Sequence, residues 1–216
     1  MLEKMAEFFE RRLDEYDRHQ LTCIESAPEF YTFTSKCLPA LENARILDLG
    51  CGTGLELEGY LEDNPTAEIT GIDLSPRMLE AAKKKFPGRK LTLITGSYFD
   101  VSFPTDVFDA AVSVESLHHF TREEKIPLYA RVRAALKASG YFLLTDYYAQ
   151  SDEEEERFRR ELYRLKREQN TEQGELYHYD TPLTAEHEAQ ALSEAGFSSV
   201  EVLGRWGVTY TLKACR

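Results

Sequence analysis

Three groups of residues in this 216-residue chain have types and spacings that could do chemistry. The first is Asp48-x-Gly50-x-Gly52-x-Gly54, which follows the short apolar run Arg45-Ile46-Leu47-Asp48-Leu49 and precedes Leu55, Leu57 and Leu61. A buried strand, a glycine turn and a helix start in that order make a nucleotide-binding edge. Glycine lets the chain turn tightly and lets a ligand approach the backbone where a Cβ would block it. The second is Asp73, at the end of a second apolar run. It lies about 20 residues beyond the glycines, where nucleotide folds place an acid whose two oxygens accept from ribose hydroxyls. The third is Glu115 with His118 and His119, just after the apolar run of residues 108–114. In open α/β sheets ligands sit beyond the carboxyl ends of the strands, so these side chains fall where a reactive group would point.

These groups are positioned by an alternation of strands and helices. Strands are expected at residues 45–49, 68–72, 91–95, 108–114 and 141–145, the third ending in Gly96-Ser97-Tyr98. Ser75 followed by Pro76 opens one helix, Thr121 with Glu124 forms a capping box for another, and Ser151 with Glu154 caps a third. In that third helix the acids at 152–156 fill the first turn, where the helix dipole favours them, so the acidic run is a helix start and not a binding tail. A helix over 184–195 ends at Gly196, and strands at 197–203 and 207–214 are joined through Gly204-Arg205-Trp206. Residues 2–20 carry Leu2, Met5, Phe9, Leu13 and Tyr16 near helical spacing, and a second aromatic segment holds Phe30, Tyr31 and Phe33.

The glycine spacing differs from the dinucleotide fingerprint Gly-x-Gly-x-x-Gly. Asp48-x-Gly50-x-Gly52-x-Gly54 resembles motif I of the class I S-adenosylmethionine-dependent methyltransferases. The run Gly71-Ile72-Asp73-Leu74-Ser75-Pro76, with Met78 and Leu79 after it, looks like their second motif, Leu117-His118-His119 looks like their loop after the fourth strand, and residues 136–140 look like their Leu-Lys-Pro-Gly-Gly turn with two positions changed. The resemblance covers roughly residues 40–214. It implies an α/β, Rossmann-like seven-stranded sheet, mostly parallel, with an antiparallel C-terminal hairpin strand and helices on both faces. It implies methyl transfer from S-adenosyl-L-methionine to an O, N or C nucleophile, leaving S-adenosyl-L-homocysteine.

The same resemblance assigns residues. The cofactor would be held by Asp48, Gly50, Cys51, Gly52, Gly54, Asp73, Leu74, Met78, Gly96, Ser97, Tyr98, Glu115 and Tyr16. Ser97 stands where relatives commonly have an Asp facing the adenine amino group, and a hydroxyl accepts more weakly than a carboxylate. His118, Glu115 and Tyr147 are the catalytic candidates, and Tyr31, His119, Tyr148, Tyr177, His178 and Tyr179 the candidate acceptor wall. One methyltransferase domain is expected over residues 1–216. It divides into an N-terminal helical cap (1–40), a cofactor-binding core (41–150), a helix and lid insertion (151–182) and a C-terminal helix with a β-hairpin (183–216).

Composition bounds the partners. The net charge is −12, with 38 acidic against 26 basic residues, so no nucleic-acid partner is expected. No apolar run is long enough for a membrane helix. The four cysteines are scattered and form no Cys-x-x-Cys pair, which fits a reduced cytoplasmic protein; no metal is expected. The expected partner is a small-molecule methyl acceptor, and the chain a monomer or homodimer. Two rival readings are a catalytically inactive S-adenosylmethionine-binding partner protein and an NAD-dependent oxidoreductase. The terminal hairpin argues against the second.

Overall fold

Apolar residues alternate in and out along the central strands, and a helical layer covers each face. In a computed structural model that describes residues 1–172 and 174–216, the elements run β1 (Glu3–Lys4), α1 (Met5–Cys23), α2 (Ala27–Cys37), β2 (Arg45–Leu49), α3 (Glu58–Asp63), β3 (Glu68–Asp73), α4 (Pro76–Lys85), β4 (Lys90–Thr95), β5 (Phe108–Val114), α5 (Arg122–Ala135), β6 (Leu136–Tyr147), α6 (Asp152–Glu168), β7 (Tyr177–His178), α7 (Ala185–Glu194), β8 (Ser199–Trp206) and β9 (Thr209–Cys215). Short 3₁₀ turns at Leu55–Leu57 and Leu117–His119 follow β2 and β5.

The seven-stranded sheet has the order β4-β3-β2-β5-β6-β9-β8. Every neighbour is parallel except β9, which is antiparallel to both β6 and β8. On one face Leu47, Leu49, Ala111, Phe142 and Leu144 join Leu128 and Val132 of α5 and Leu192 of α7. On the other, Ile46, Ile69, Ala110, Val112 and Leu143 join Phe30 and Tyr31 of α2 and Leu61 of α3. The period-two alternation therefore closes two cores, one on each side of the sheet.

The start signals behave as their chemistry requires. Ser75 Oγ accepts from the Met78 N–H at 3.3 Å, the Thr121–Glu124 capping box is complete, and Ser151 Oγ accepts from the Glu154 N–H at 3.2 Å.

Three segments differ from the sequence reading. Residues 27–37 form a full helix, because Ala27, Phe30, Tyr31 and Thr34 are buried at i, i+3, i+4 and i+7 and Pro28 sits in its first turn. Residues 136–140 belong to β6, whose pairing with β5 shifts register between Phe108 and Ala110, so the irregular part bulges out of the strand without ending it. Gly204, Arg205 and Trp206 lie inside β8, and the hairpin turns at Gly207, at φ +58°, and Val208.

A second, two-stranded sheet joins distant parts of the chain. Glu3 pairs with His178 and Lys4 with Tyr177, antiparallel, and the Met5 N–H donates to the Leu176 carbonyl at 2.9 Å. The N-terminal segment and the end of the insertion before α7 thus form one wall over the carboxyl ends of β5 and β6. Gln173, within that insertion, lies outside the described residues.

Candidate functional site

The turn after β2 is built by backbone geometry. Gly50, Gly52 and Gly54 have φ of +73°, +49° and +76°, and the Gly50 and Cys51 N–H groups both donate to the Ile72 carbonyl, at 2.8 and 3.2 Å. At Gly50 there is no room for a side chain: a Cβ would run into Ser116. Asp73 ties the turn to β3. Its Oδ2 accepts from the Gly52 N–H at 2.9 Å and its Oδ1 from the Ser75 N–H at 2.8 Å, and each oxygen keeps a lone pair for a further donor.

Beneath this turn lie two buried carboxyls. Among the described residues neither oxygen of Asp48 has an aligned hydrogen-bond partner, nor does Glu56 Oε1, and the two carboxyls are neighbours. Burial pushes both carboxyls up, and the neighbouring Glu56 charge adds to the shift of Asp48. Unpartnered buried acceptors beside a glycine turn suit a positively charged ligand group, which would restore their lost solvation. The residues present therefore fit a nucleoside that carries an ammonium.

α1 closes over the turn. A Cβ on Gly52 would stand 3.7 Å from the Tyr16 ring. Asp17 Oδ1 accepts from Thr53 Oγ1 at 2.5 Å, while Lys85 Nζ reaches Asp17 Oδ2 at 2.7 Å and Glu58 Oε1 at 2.8 Å. Burial raises the Tyr16 phenol far above its ordinary range, and the charges of Asp73 and Glu56 push the same way, so it stays protonated as a donor.

The other expected cofactor residues are placed unevenly. The Gly96 N–H donates to the Asp73 carbonyl at 2.9 Å, Ser97 Oγ accepts from the Phe99 N–H at 3.1 Å, and the Tyr98 hydroxyl lies 3.1 Å from Ser116 Oγ. Cys51 is buried against Gly71, where a Cβ would meet its sulfur at 2.7 Å. Leu74 is half-buried against the core. Met78, in the first turn of α4, is buried at 1% exposure.

A cavity of about 430 Å³ opens on the acceptor side. Phe8, Phe9, Arg12, Tyr16 and His19 of α1 form one wall. Glu115, His118, His119 and Tyr147, at the ends of β5 and β6, form the floor, and His178, Asp180 and Thr209 close the side. Glu115 is held at φ +49°, an unusual conformation for a non-glycine residue, with its N–H on the Thr145 carbonyl at 2.9 Å and its Oε1 accepting from Thr209 Oγ1 at 3.2 Å. Burial pushes its carboxyl up to about 7, although the His118 charge draws it down.

His118 is fixed from behind. Its Nδ1 lies 2.5 Å from Asp146 Oδ1, and Asp146 Oδ2 accepts from the Leu117 N–H at 2.9 Å. Burial works against charge on the ring, but the Asp146 carboxylate outweighs it and raises His118 to about 9. Asp146 thus orients the His118 ring and favours charge on it. His119 is lowered by burial and by the His118 charge, and His178, stacked on Phe8 with ring centres 3.5 Å apart, is lowered to about 4 by burial and then by His119.

Four of the expected wall residues lie outside this lining. Tyr148 is fully buried and stacks on Tyr210 at 5.2 Å, because the strand alternation that sends Tyr147 to the cavity sends Tyr148 into the core. Tyr31 is buried one layer back, its hydroxyl 3.5 Å from Gln20 Oε1. The Tyr177 hydroxyl accepts from the Glu172 N–H, and Tyr179 faces outward against Arg157, Phe158 and Arg164 of α6. Sequence reading missed Glu56, Phe8, Arg12, Asp146 and Asp180. A charged residue between Leu55 and Leu57 was the signal for Glu56; Asp146, at the end of a strand, was the signal for the partner of His118.

Residues 46–140 match the family profile described as Methyltransferase domain. A fatty-acid O-methyltransferase of Mycolicibacterium smegmatis is 31% identical over 106 residues, covering 49% of this chain and 38% of that protein. The phosphoethanolamine N-methyltransferase of Plasmodium falciparum is 29% identical over 113 residues, covering 52% of this chain and 42% of that one. The matched part thus spans less than half the length of these curated relatives. A Thermotoga maritima protein described as an S-adenosylmethionine-dependent methyltransferase, possible histamine N-methyltransferase, shares the fold with a TM-score of 0.68 at 19% identity, covering 98% of this chain and 99% of that one. Human N-acetylserotonin methyltransferase does so with a TM-score of 0.64 at 18% identity, covering 98% of this chain and 55% of that one. In its glycine turn, its sheet order and the matched residues 46–140, the chain is similar to the class I S-adenosylmethionine-dependent methyltransferases, whose cofactor is S-adenosylmethionine.

Proposed function

We propose that this protein transfers the methyl group of S-adenosylmethionine to a nucleophile on a small molecule. The observation that carries the reading is the placement of Tyr16, which covers Gly52 of the cofactor turn and also lines the acceptor cavity. The two halves of a methyl-transfer site thus meet at one side chain. The relatives' names mention fatty acid and phosphoethanolamine, which supports a small acceptor. So does a cavity of about 430 Å³ in which aromatic rings alternate with polar groups that could orient a small acceptor.

The bound cofactor supplies an electrophilic methyl carbon on a sulfonium. Asp48 and Glu56 would receive its ammonium, Asp73 would accept from its ribose hydroxyls, and the glycine turn would admit it close to the backbone. Phe8, Phe9 and Tyr16 exclude water from the acceptor. His119, His178 and Tyr147 form the acceptor's walls, and Glu115 takes the acceptor's proton. Much of the rate would come from holding the nucleophile in line, about 3 Å from the methyl carbon. His118 is a positioning residue held by Asp146. No helix among the described residues is long and apolar enough to cross a membrane, and the four free cysteines suit a reducing cytoplasm.

The test is transfer of labelled methyl from S-adenosylmethionine to panels of carboxylate, amine, phenol and thiol acceptors. Turnover with any of them supports the reading. Cofactor binding without turnover on any panel favours the inactive partner protein instead.

A further inference from the structure

The sequence spacing suggested no metal ligands, because Asp180 lies far along the chain from the histidine pair. The fold brings them together. Asp180 Oδ1 is 3.1 Å from His119 Nδ1 and 3.6 Å from His118 Nε2, and the three donor atoms all lie within 4.8 Å of one another. Two donors about 2.0–2.1 Å from one tetrahedral ion stand roughly 3.3 Å apart, and the two Asp180 distances bracket that value.

His119 Nδ1 is buried and has no aligned hydrogen-bond partner, although Asp180 is close. The contact is off the hydrogen-bond line, and an ion between the two atoms would satisfy both. His118 has the outer-shell support typical of a metal ligand: Asp146 holds Nδ1 at 2.5 Å and leaves Nε2 facing Asp180. The third ligand is fixed as well, since the Thr181 N–H, next in the chain to Asp180, donates to the His118 carbonyl at 2.7 Å. Asp146 and Glu115 add negative charge beside the cluster, while Arg12 lies across the cavity with its guanidinium over Phe8.

We infer that His118, His119 and Asp180 form a binding site for one divalent transition-metal ion, of the zinc class, with an open position facing the acceptor cavity. Two imidazoles and one carboxylate suit such an ion better than magnesium or calcium, which take oxygen ligands. Three protein ligands with one free position is the arrangement of a catalytic site; structural sites are closed by four. Resting on the methyl-transfer reading, the free position would take the acceptor's heteroatom. The ion would weaken that atom's hold on its proton, which passes to Glu115 before the atom attacks the methyl carbon and the carbon–sulfur bond breaks.

The test uses the untagged 216-residue protein, stripped with a chelator and titrated calorimetrically with Zn²⁺ and, in parallel, with S-adenosylhomocysteine. The wild type should take up one equivalent of Zn²⁺. His119→Ala and Asp180→Asn should each weaken that binding at least tenfold, while His187→Ala, at a surface histidine paired with Glu155, leaves it unchanged. Co²⁺ added to the wild type should give the intense visible absorption of a four- or five-coordinate ion. No stoichiometric Zn²⁺ uptake, equal uptake by all variants, or a faint octahedral cobalt spectrum would overturn the site. S-adenosylhomocysteine binding without Zn²⁺ removes the metal and leaves the proposed function standing; Zn²⁺ binding without S-adenosylhomocysteine does the reverse.

Discussion

Asp48 on β2 and Glu56 on the turn after the glycines are neighbouring buried carboxyls, and among the described residues neither oxygen of Asp48 has an aligned hydrogen-bond partner. Both are pushed up by burial. A cofactor ammonium beside them would favour their ionised form.

Cofactor binding should therefore release protons, and its affinity should rise with pH until the pair is ionised. In the free protein the sign is opposite. Folded-state carboxyls raised above their unfolded values of about 4 give stability that is fully present below that pH and is lost as pH rises through the folded pKa. Calorimetry in two buffers of different ionisation heat measures the protons directly. Uptake of protons on binding, or none in the wild type, would contradict this arrangement.

Asp73→Ala should weaken cofactor binding by about 2–4 kcal/mol, since two charge-assisted ribose contacts at about 1.5–3 kcal/mol each are lost before water compensates. The melting temperature should also fall modestly, because Asp73 accepts from Gly52 and Ser75. Binding equal to wild type in a calorimetric titration would remove Asp73 from the site.

Gly50→Ala and Gly88→Ala make a matched pair. Both positions have positive φ, +73° and +76°, so each substitution strains the backbone by about 1–3 kcal/mol. Only at Gly50 would the new Cβ also strike a side chain, that of Ser116; at Gly88 nothing lies within 4 Å. Denaturant unfolding should show the larger loss for Gly50→Ala, together with weaker cofactor binding. Equal losses would mean that the turn is not closely packed.

Lys85→Ala removes the cation that joins Asp17 of α1 to Glu58 of α3. Amide exchange in α1 should speed up several-fold while β2, β3 and β5 keep their protection. Unchanged exchange in α1 would show that its apolar contacts alone hold it over the glycine turn.

The parts of this protein that were legible from sequence are those set by local chemistry. The glycine turn, the 108–114 strand and the caps at Ser75, Thr121 and Ser151 each follow from neighbouring residues. α2 was obscured because Phe30-Tyr31-Thr32-Phe33 is a run of strand-favouring residues, whose burial on one helical face is decided by the sheet beneath. Gly204 looked like a turn yet lies within β8, where the register shifts. The site itself was half legible. Asp73 and the glycines of the turn declared themselves, whereas Asp180 comes to His119, and Glu3 to His178, only through the tertiary fold. Tyr148 is an apolar-bodied residue beside the site, and the side of the strand on which it sits sends it into the core.

The central claim is that the glycine turn with Asp48 and Asp73 binds a sulfur nucleoside. Calorimetric titration of the purified protein with S-adenosylmethionine, S-adenosylhomocysteine and NADH tests it most directly. The account predicts one-to-one binding of both sulfur nucleosides and none of NADH; absence of binding by either sulfur nucleoside at millimolar concentration, or binding of NADH in their place, would contradict it.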